Sequence, residues 1–94
     1  VGLVYPNPNE GKVLVPIALP GEEVTYEVSL HLMDLMGREI TKLPAREVRS
    51  GFQPIKWNLT FDNQDIVNGS YLLQVRVKKG ESTWIQSQKL IINR

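Results

Sequence analysis

Strict two-residue alternation, glycine turns at regular spacing and the lack of a sustained helical period predict an all-β fold. The expected form is an immunoglobulin-like antiparallel β-sandwich of about seven strands. Val24, Tyr26, Val28, Leu30 and Leu32 alternate with Thr25, Glu27, Ser29 and His31. Ile55, Trp57, Leu59 and Phe61 alternate with Lys56, Asn58 and Thr60, and Tyr71, Leu73, Val75 and Val77 alternate with Gln74, Arg76 and Lys78. Each row puts its apolar side chains on one face of a half-buried strand. Only Leu72 breaks the polar face of the third row.

Taken in order, Val1 to Tyr5 reads as a short first strand. Lys12 to Leu19 reads as a second, carrying Pro16. A proline cannot donate to a ladder, so an edge or a bulge is expected there. The Val24 row follows, then Glu39 to Leu43, the Ile55 row, the Tyr71 row and Thr83 to Asn93. Pro20-Gly21, Met36-Gly37, Ser50-Gly51, Asn68-Gly69 and Lys79-Gly80 separate them. Gly37 and Gly69 are expected in tight turns, where glycine tolerates a positive φ. Asp62 to Asn68 offers at most one helical turn, through Ile66 and Val67. The core is expected to hold Trp57, Leu59, Val28, Leu30, Leu73 and Val75.

The 94 residues fit one domain spanning residues 1–94, large enough for a real core. Net charge is +1, which argues against a dedicated nucleic-acid binder. There is no cysteine, so disulfides, thiolate metal sites and a cysteine nucleophile are excluded. No apolar run approaches a membrane span. Val1 is not an initiator methionine, and no basic segment precedes an apolar core. The expected origin is a piece of a longer precursor whose export signal lies upstream.

The search for chemistry returns no catalytic, cofactor or metal site. His31 is the single histidine. Ser29 and His31 on one strand face point in parallel rather than converging, and Asp34 begins a turn, so a triad is not expected. His31 reads instead as a solvated strand residue. Asp62-Asn63-Gln64-Asp65 has oxygen donors for calcium but lacks EF-hand spacing, and reads as a polar connection. Trp57 belongs to the core row, whereas Trp84, after the Gly80 turn, is a candidate for surface contact.

Five motifs then occur in a fixed order: Tyr5-Pro6-Asn7-Pro8 with Gly11, Asp34-Leu35-Met36-Gly37-Arg38, Ser50-Gly51 followed by Trp57, Gly69-Ser70-Tyr71, and Lys89-Leu90-Ile91-Ile92 ending at Arg94. In that order they resemble the type IX secretion system C-terminal sorting domain, also called the Por secretion system sorting domain. The resemblance covers nearly the whole chain. Met33 stands where the family often has an aromatic, and the connection from Gly21 to Thr25 is longer. By resemblance, the family-motif residues are Pro6, Asn7, Pro8, Gly11, Asp34, Gly37, Arg38, Gly69 and Tyr71.

The resemblance implies an address label. A cargo lies on the N-terminal side of the same precursor and crosses the inner membrane by an ordinary signal peptide. The outer-membrane secretion machinery reads the label, and the machinery's protease removes it near or before Val1. The cargo passes through the periplasm of a Gram-negative bacterium and ends secreted or on the cell surface. The candidate recognition residues are Lys89, Leu90, Ile91, Ile92, Asn93 and Arg94, a strand running to an exposed carboxylate beside Arg94. The terminal strands also leave room for a swapped or edge-paired dimer. Two rival readings remain. An accessory module for carbohydrate or protein would use Trp84 and the loops, and a structural spacer would have further chain downstream.

Overall fold

The computed structural model describes residues 3–94. Ten β elements run along the chain: β1 (Lys12–Val15), β2 (Ala18–Leu19), β3 (Thr25–Met33), β4 (Glu39–Arg49), β5 (Gly51–Phe52), β6 (Ile55–Asn58), β7 (Thr60–Phe61), β8 (Gln64–Asp65), β9 (Gly69–Lys79) and β10 (Ser82–Ile92). One layer is a four-stranded antiparallel sheet in the order β10-β9-β3-β4. The other is made of three short pairings, β1–β6, β2–β5 and β7–β8. The arrangement is the all-β sandwich that alternation predicts.

The core lies between the layers. Leu30, Leu32, Leu73, Val75, Leu90 and Ile92 contribute from the large sheet, Val15, Ile55 and Trp57 from the small pairings, and Ile17 and Leu59 from the links between the short strands. All six residues expected in the core are buried.

The strand count rises from seven to ten because two expected strands are cut in two and the short partners β5 and β8 are added, while the expected first strand is not among the ten. The pairing of β1 with β6 ends at Val15↔Ile55 and resumes in the same register as β2 with β5 at Ala18↔Phe52. Pro16 and Pro54 lie in the gap. Neither has an N–H to donate, so the ladder stops without a shift of register. The Ile55 row holds through Leu59, whose N–H continues the β1–β6 register to the Gly11 carbonyl at 2.7 Å, and the chain then turns into the β7–β8 hairpin. Phe61, expected inside, is therefore outside and 61% exposed.

Asp62 and Asn63 have φ of 55° and 62°. They form the two-residue turn of the β7–β8 hairpin, so the expected helical turn is not present there. Asn and Asp tolerate the left-handed region better than other residues with a β-carbon. Of the expected first strand, Val1 and Gly2 lie outside the described residues. The rest reduces to an isolated antiparallel bridge between Tyr5 and Leu14.

The strand expected over Glu39–Leu43 continues to Arg49, past Pro44. Its register against β3 shifts twice, between Val28 and Leu30 and between Leu32 and Met33. Pro44 falls opposite the first shift, on a strand at the edge of the sheet, where a missing donor is tolerated. Ser50-Gly51 is not a hairpin. With Gly51 at φ 104°, the chain leaves the large sheet there for the other layer. Asn68-Gly69 is likewise no tight turn. Gly69 opens β9, and the segment before it crosses from the β7–β8 hairpin. Gly37, at φ 89° in the β3–β4 turn, is as expected.

Candidate recognition surface

β10 carries Leu90 and Ile92 into the core, at 0% and 1% exposure. Lys89 and Ile91 alternate to the other face, and Asn93 and Arg94 follow the strand. The backbone of this half of β10 is not bare. The Tyr5–Gly11 loop lies along it, entered through cis bonds at Tyr5-Pro6 and Asn7-Pro8.

Asn7 holds the strand with its amide. Its Oδ1 accepts the Ile91 N–H at 2.9 Å, and its Nδ2 donates to the Lys89 carbonyl at 3.0 Å. One side chain thus supplies the donor and acceptor that a neighbouring strand would supply. Asn9 does more. Its N–H and its Nδ2 both donate to the Ile91 carbonyl, at 2.9 and 3.0 Å. Its carbonyl accepts the Asn93 N–H at 2.7 Å, and its Oδ1 accepts the Gly11 N–H at 2.8 Å. Asn9 is 2% exposed, so each of these groups is desolvated and paired. The two prolines of the motif cannot join a ladder, and the asparagine amides pair in their stead.

Arg94 closes the arrangement. Its N–H donates to Asn68 Oδ1 at 3.1 Å, and its guanidinium donates to the Ile66 carbonyl. Nη2 lies 3.8 Å from Asp65 Oδ1. A β-carbon at Gly11, which has φ 100°, would fall on the guanidinium. The positive φ favours glycine there, and any β-carbon would have to displace the guanidinium. The Arg94 side chain is thus folded back onto the sandwich, at 27% exposure.

The remaining motif residues stand at the same end. Tyr71, buried, donates its hydroxyl to the Val67 carbonyl at 2.6 Å, with Gly69 against its ring. The Asp34–Arg38 turn ties itself: Asp34 Oδ1 accepts the Met36 and Arg38 N–H groups, each at 2.9 Å, and Oδ2 accepts Arg38 Nε at 2.9 Å. The backbone N–H of Arg38 and then its guanidinium hold the Asp34 carboxyl below its usual range. Register locates this turn. Met33, just before it, pairs with Leu72, while Ser70 pairs with Ile91. The turn, Gly69–Tyr71, the Tyr5–Gly11 loop and the end of β10 therefore crowd one end of the sandwich. Leu35, Met36 and Val67 add exposed apolar surface there.

Sequence reasoning singled out Asn7 and Gly11 but passed over Asn9, and it weighed Asp65 as a calcium donor and Asn68 as a turn residue rather than as partners of Arg94. Asn9 was open to discovery, since a polar residue inside a proline-interrupted motif needs partners. The partners of Asp65 and Asn68 lie 26 or more residues away and leave no local signal.

His31 departs from its expected solvated place and is 6% exposed. It shares the outer face with Ser29, whose Oγ is 2.9 Å from Nε2, and Nδ1 lies 2.5 Å from Glu39 Oε1. The carboxylate near the ring is Glu39, not Asp34. The register shift beside Met33 puts Glu39 opposite it in place of Ile40, on the histidine's face. The His31 hydrogen bond, opposed by partial burial and aided by Lys42 and Arg76, lowers the Glu39 carboxyl from its usual range. The three groups satisfy one another on the centre of the sheet. No group of three or more metal-ligating side chains gathers among the described residues.

The family described as secretion system C-terminal sorting domain matches residues 3–93. The chain belongs to that family. The domain is accordingly a type IX secretion sorting signal, and the family is a non-enzymatic one. Such a domain implies a cargo on its N-terminal side and secretion through the outer membrane. Among solved structures, dimeric latent PorU from Porphyromonas gingivalis is similar, with a TM-score of 0.79 at 23% identity. The match covers 96% of this chain and 9% of that one, so the likeness concerns the fold of one small part. No curated protein matches the chain.

Proposed function

We propose that this sorting domain is read at the end of the sandwich where its motifs converge. Lys89, Ile91, Asn93 and Arg94 present the chain end, the Tyr5–Gly11 loop frames it, and the Asp34–Arg38 turn stands beside it. Leu90 and Ile92 serve by fixing the strand from inside. The observation that carries this reading is the pairing of Asn7 and Asn9 with Lys89, Ile91 and Asn93. It makes the first and last motifs one surface, so a reader of the terminus meets both.

In this reading residues 1–94 act as one unit without enzymatic activity of their own. The cargo passes through the periplasm, the outer-membrane machinery engages the label, and its protease cuts near or before Val1. The cargo is left secreted or on the cell surface. Edge-to-edge pairing with a second copy of the chain is a further partner this reading holds.

The test is a fusion of a signal peptide, a neutral reporter and residues 1–94 in a cell with type IX machinery. Lys89→Ala and Met36→Ser alter exposed side chains and are expected to leave the melting temperature in place. The parent fusion is expected to deliver the reporter outside, shortened by loss of the domain. The two variants and a parent with a short polar tail after Arg94 are expected to remain in the periplasm. Normal export of all three overturns the proposed surface. A reporter that arrives outside with the domain still attached overturns the removal step.

A further inference from the structure

The two edges of the large sheet are built differently. β4 is defended: it carries Glu39, Lys42, Arg46, Glu47 and Arg49, a proline and two register shifts. Such features discourage strand pairing. β10 pairs with β9 through eleven unbroken positions, Ser82↔Lys79 to Ile92↔Gly69. Its residues 82–88 read Ser-Thr-Trp-Ile-Gln-Ser-Gln, without a charge or a proline.

The bonds to Asn7 and Asn9 reveal which way the β10 backbone faces. The Ile91 N–H and the Lys89 and Ile91 carbonyls point away from β9. In an antiparallel ladder this direction alternates. The N–H and C=O groups of Thr83 and Ile85 therefore point outward too. Among the described residues nothing pairs with them.

A cleft opens beside this bare stretch. Trp84 lies on the same strand face as the buried Leu90 and Ile92, yet is 54% exposed. The opposite layer stops short at Pro20, leaving about 450 Å³ among Ala18, Leu19, Pro20, Tyr26, Val77 and Trp84. Trp84 meets the Tyr26 ring edge-on at 6.5 Å and leaves its other side free. The sandwich is thus unclosed along the part of β10 that has no neighbour among the described residues.

We infer that two copies of the chain pair antiparallel through this half of β10, about a two-fold axis at Trp84. Thr83 of each copy faces Ile85 of the other, and each such pair exchanges its outward N–H···O=C bonds. The two tryptophans meet on the core side and close both clefts at once. A self-complementary patch is what a two-fold interface requires, and this one brings no like charges together on the paired stretch. The axis lies no further along β10, because the partner's Gly80-Glu81 turn would then run into Asn7.

Sedimentation of purified residues 1–94 from about 1 μM to about 1 mM tests this, in a range where weak two-fold interfaces assemble. A monomer–dimer equilibrium is expected. Thr83→Pro and Ile85→Lys should each weaken it at least tenfold, whereas Ala45→Lys on the β4 edge should not. Both act on outward-facing groups, and thermal melts check that the fold survives. Protection of the Ile85 amide in the parent chain should also rise with concentration, which requires no variant. A monomer throughout overturns the proposal and leaves the edge to some other extended strand. So does a dimer indifferent to both substitutions, or an Ile85 amide whose protection is flat. None of these readouts involves export, so the sorting reading stands or falls apart from this one.

Discussion

The two halves of β10 have the same backbone and the same partner, yet opposite fates. From Lys89 onward the outer edge is clad by the Tyr5–Gly11 loop, and the side chains below it are sealed at 0% and 1% exposure. From Ser82 to Gln86 the edge has no partner among the described residues, and Trp84 stands half in solvent. The clad half holds the family motifs; the bare half holds none. Side-chain amides, not a further long strand, make the difference. A loop that cannot pair through its prolines pairs through its asparagines.

The largest expected contrast is in core truncation. Leu90→Ala in the clad half should cost about 2–5 kcal/mol, since the site is sealed and a cavity remains. Trp84→Ala removes a much larger side chain but should cost less, because half its surface was already in water. Urea midpoints of the two variants decide it. A Trp84→Ala variant as unstable as Leu90→Ala would show that the bare half is as well packed as the clad one.

Much of this was legible in the sequence, and the reasons differ by residue. Alternation fixed which face of β3, β6, β9 and the end of β10 is buried, because a period of two is a local property. It failed at Phe61, and at His31 it gave the face but not the burial. Phe61 lies beyond Leu59, where the chain leaves the β1–β6 ladder for the β7–β8 hairpin. His31 obeys the alternation, but its cover comes from Glu39 through a register shift that no local pattern announces. The motifs gave the candidate site its members. They did not show that Asn7 and Asn9 bind the terminal strand, or that Arg94 turns back onto Gly11. Pairings between the two ends of the chain have no signature at either end.

The cladding itself should be next in size. Asn9→Ala strips buried partners from Gly11 and Ile91, and an unsatisfied buried group costs about 1–3 kcal/mol. Exposed Asn63, a turn residue, should tolerate glycine with little change, since its φ is already positive. Amide exchange at Ile91 and Asn93 should accelerate in Asn9→Ala while Thr83 and Ile85 stay as they were. Equal acceleration along all of β10 would mean that its two halves open as one unit.

Two glycines separate space from conformation. Gly11→Ala meets a positive φ and the Arg94 guanidinium together, whereas a β-carbon at Gly37 would meet nothing within 4 Å. Backbone strain alone at such positions is about 1 kcal/mol or slightly more. Gly37→Ala should show that cost only. Gly11→Ala should exceed it, and shortening the arginine in the double variant Gly11→Ala with Arg94→Ala should recover part of the excess. Without recovery, Gly11 serves the backbone alone and Arg94 is no part of the clasp.

The smallest expected effect concerns acid. The loop that clads β10 is fastened by asparagine amides, which do not titrate. The turn beside it is fastened by Asp34, and the sheet behind it by Glu39. Both carboxyls are lowered from their ordinary values, 3.8 and 4.5, by the hydrogen bonds they accept. A lowered folded-state value means the folded chain binds its proton less readily than the unfolded one. Each group's contribution is therefore complete above its unfolded value and is lost as pH falls through the lower folded value. Asp34 lies in a surface turn and is only partly buried, so the change is modest and belongs to the turn. From about pH 5 down to about pH 2, amide protection at Met36 and Arg38, corrected for intrinsic exchange, should fall before protection at Gly11 and Ile91 does. Asp34→Asn keeps an oxygen that can accept the two amides but removes the charge, so the acid dependence at Met36 and Arg38 should flatten. If instead Gly11 and Ile91 lose protection first, then a carboxylate rather than an amide governs the clasp. Asp65, 3.8 Å from Arg94, would be the group to replace next.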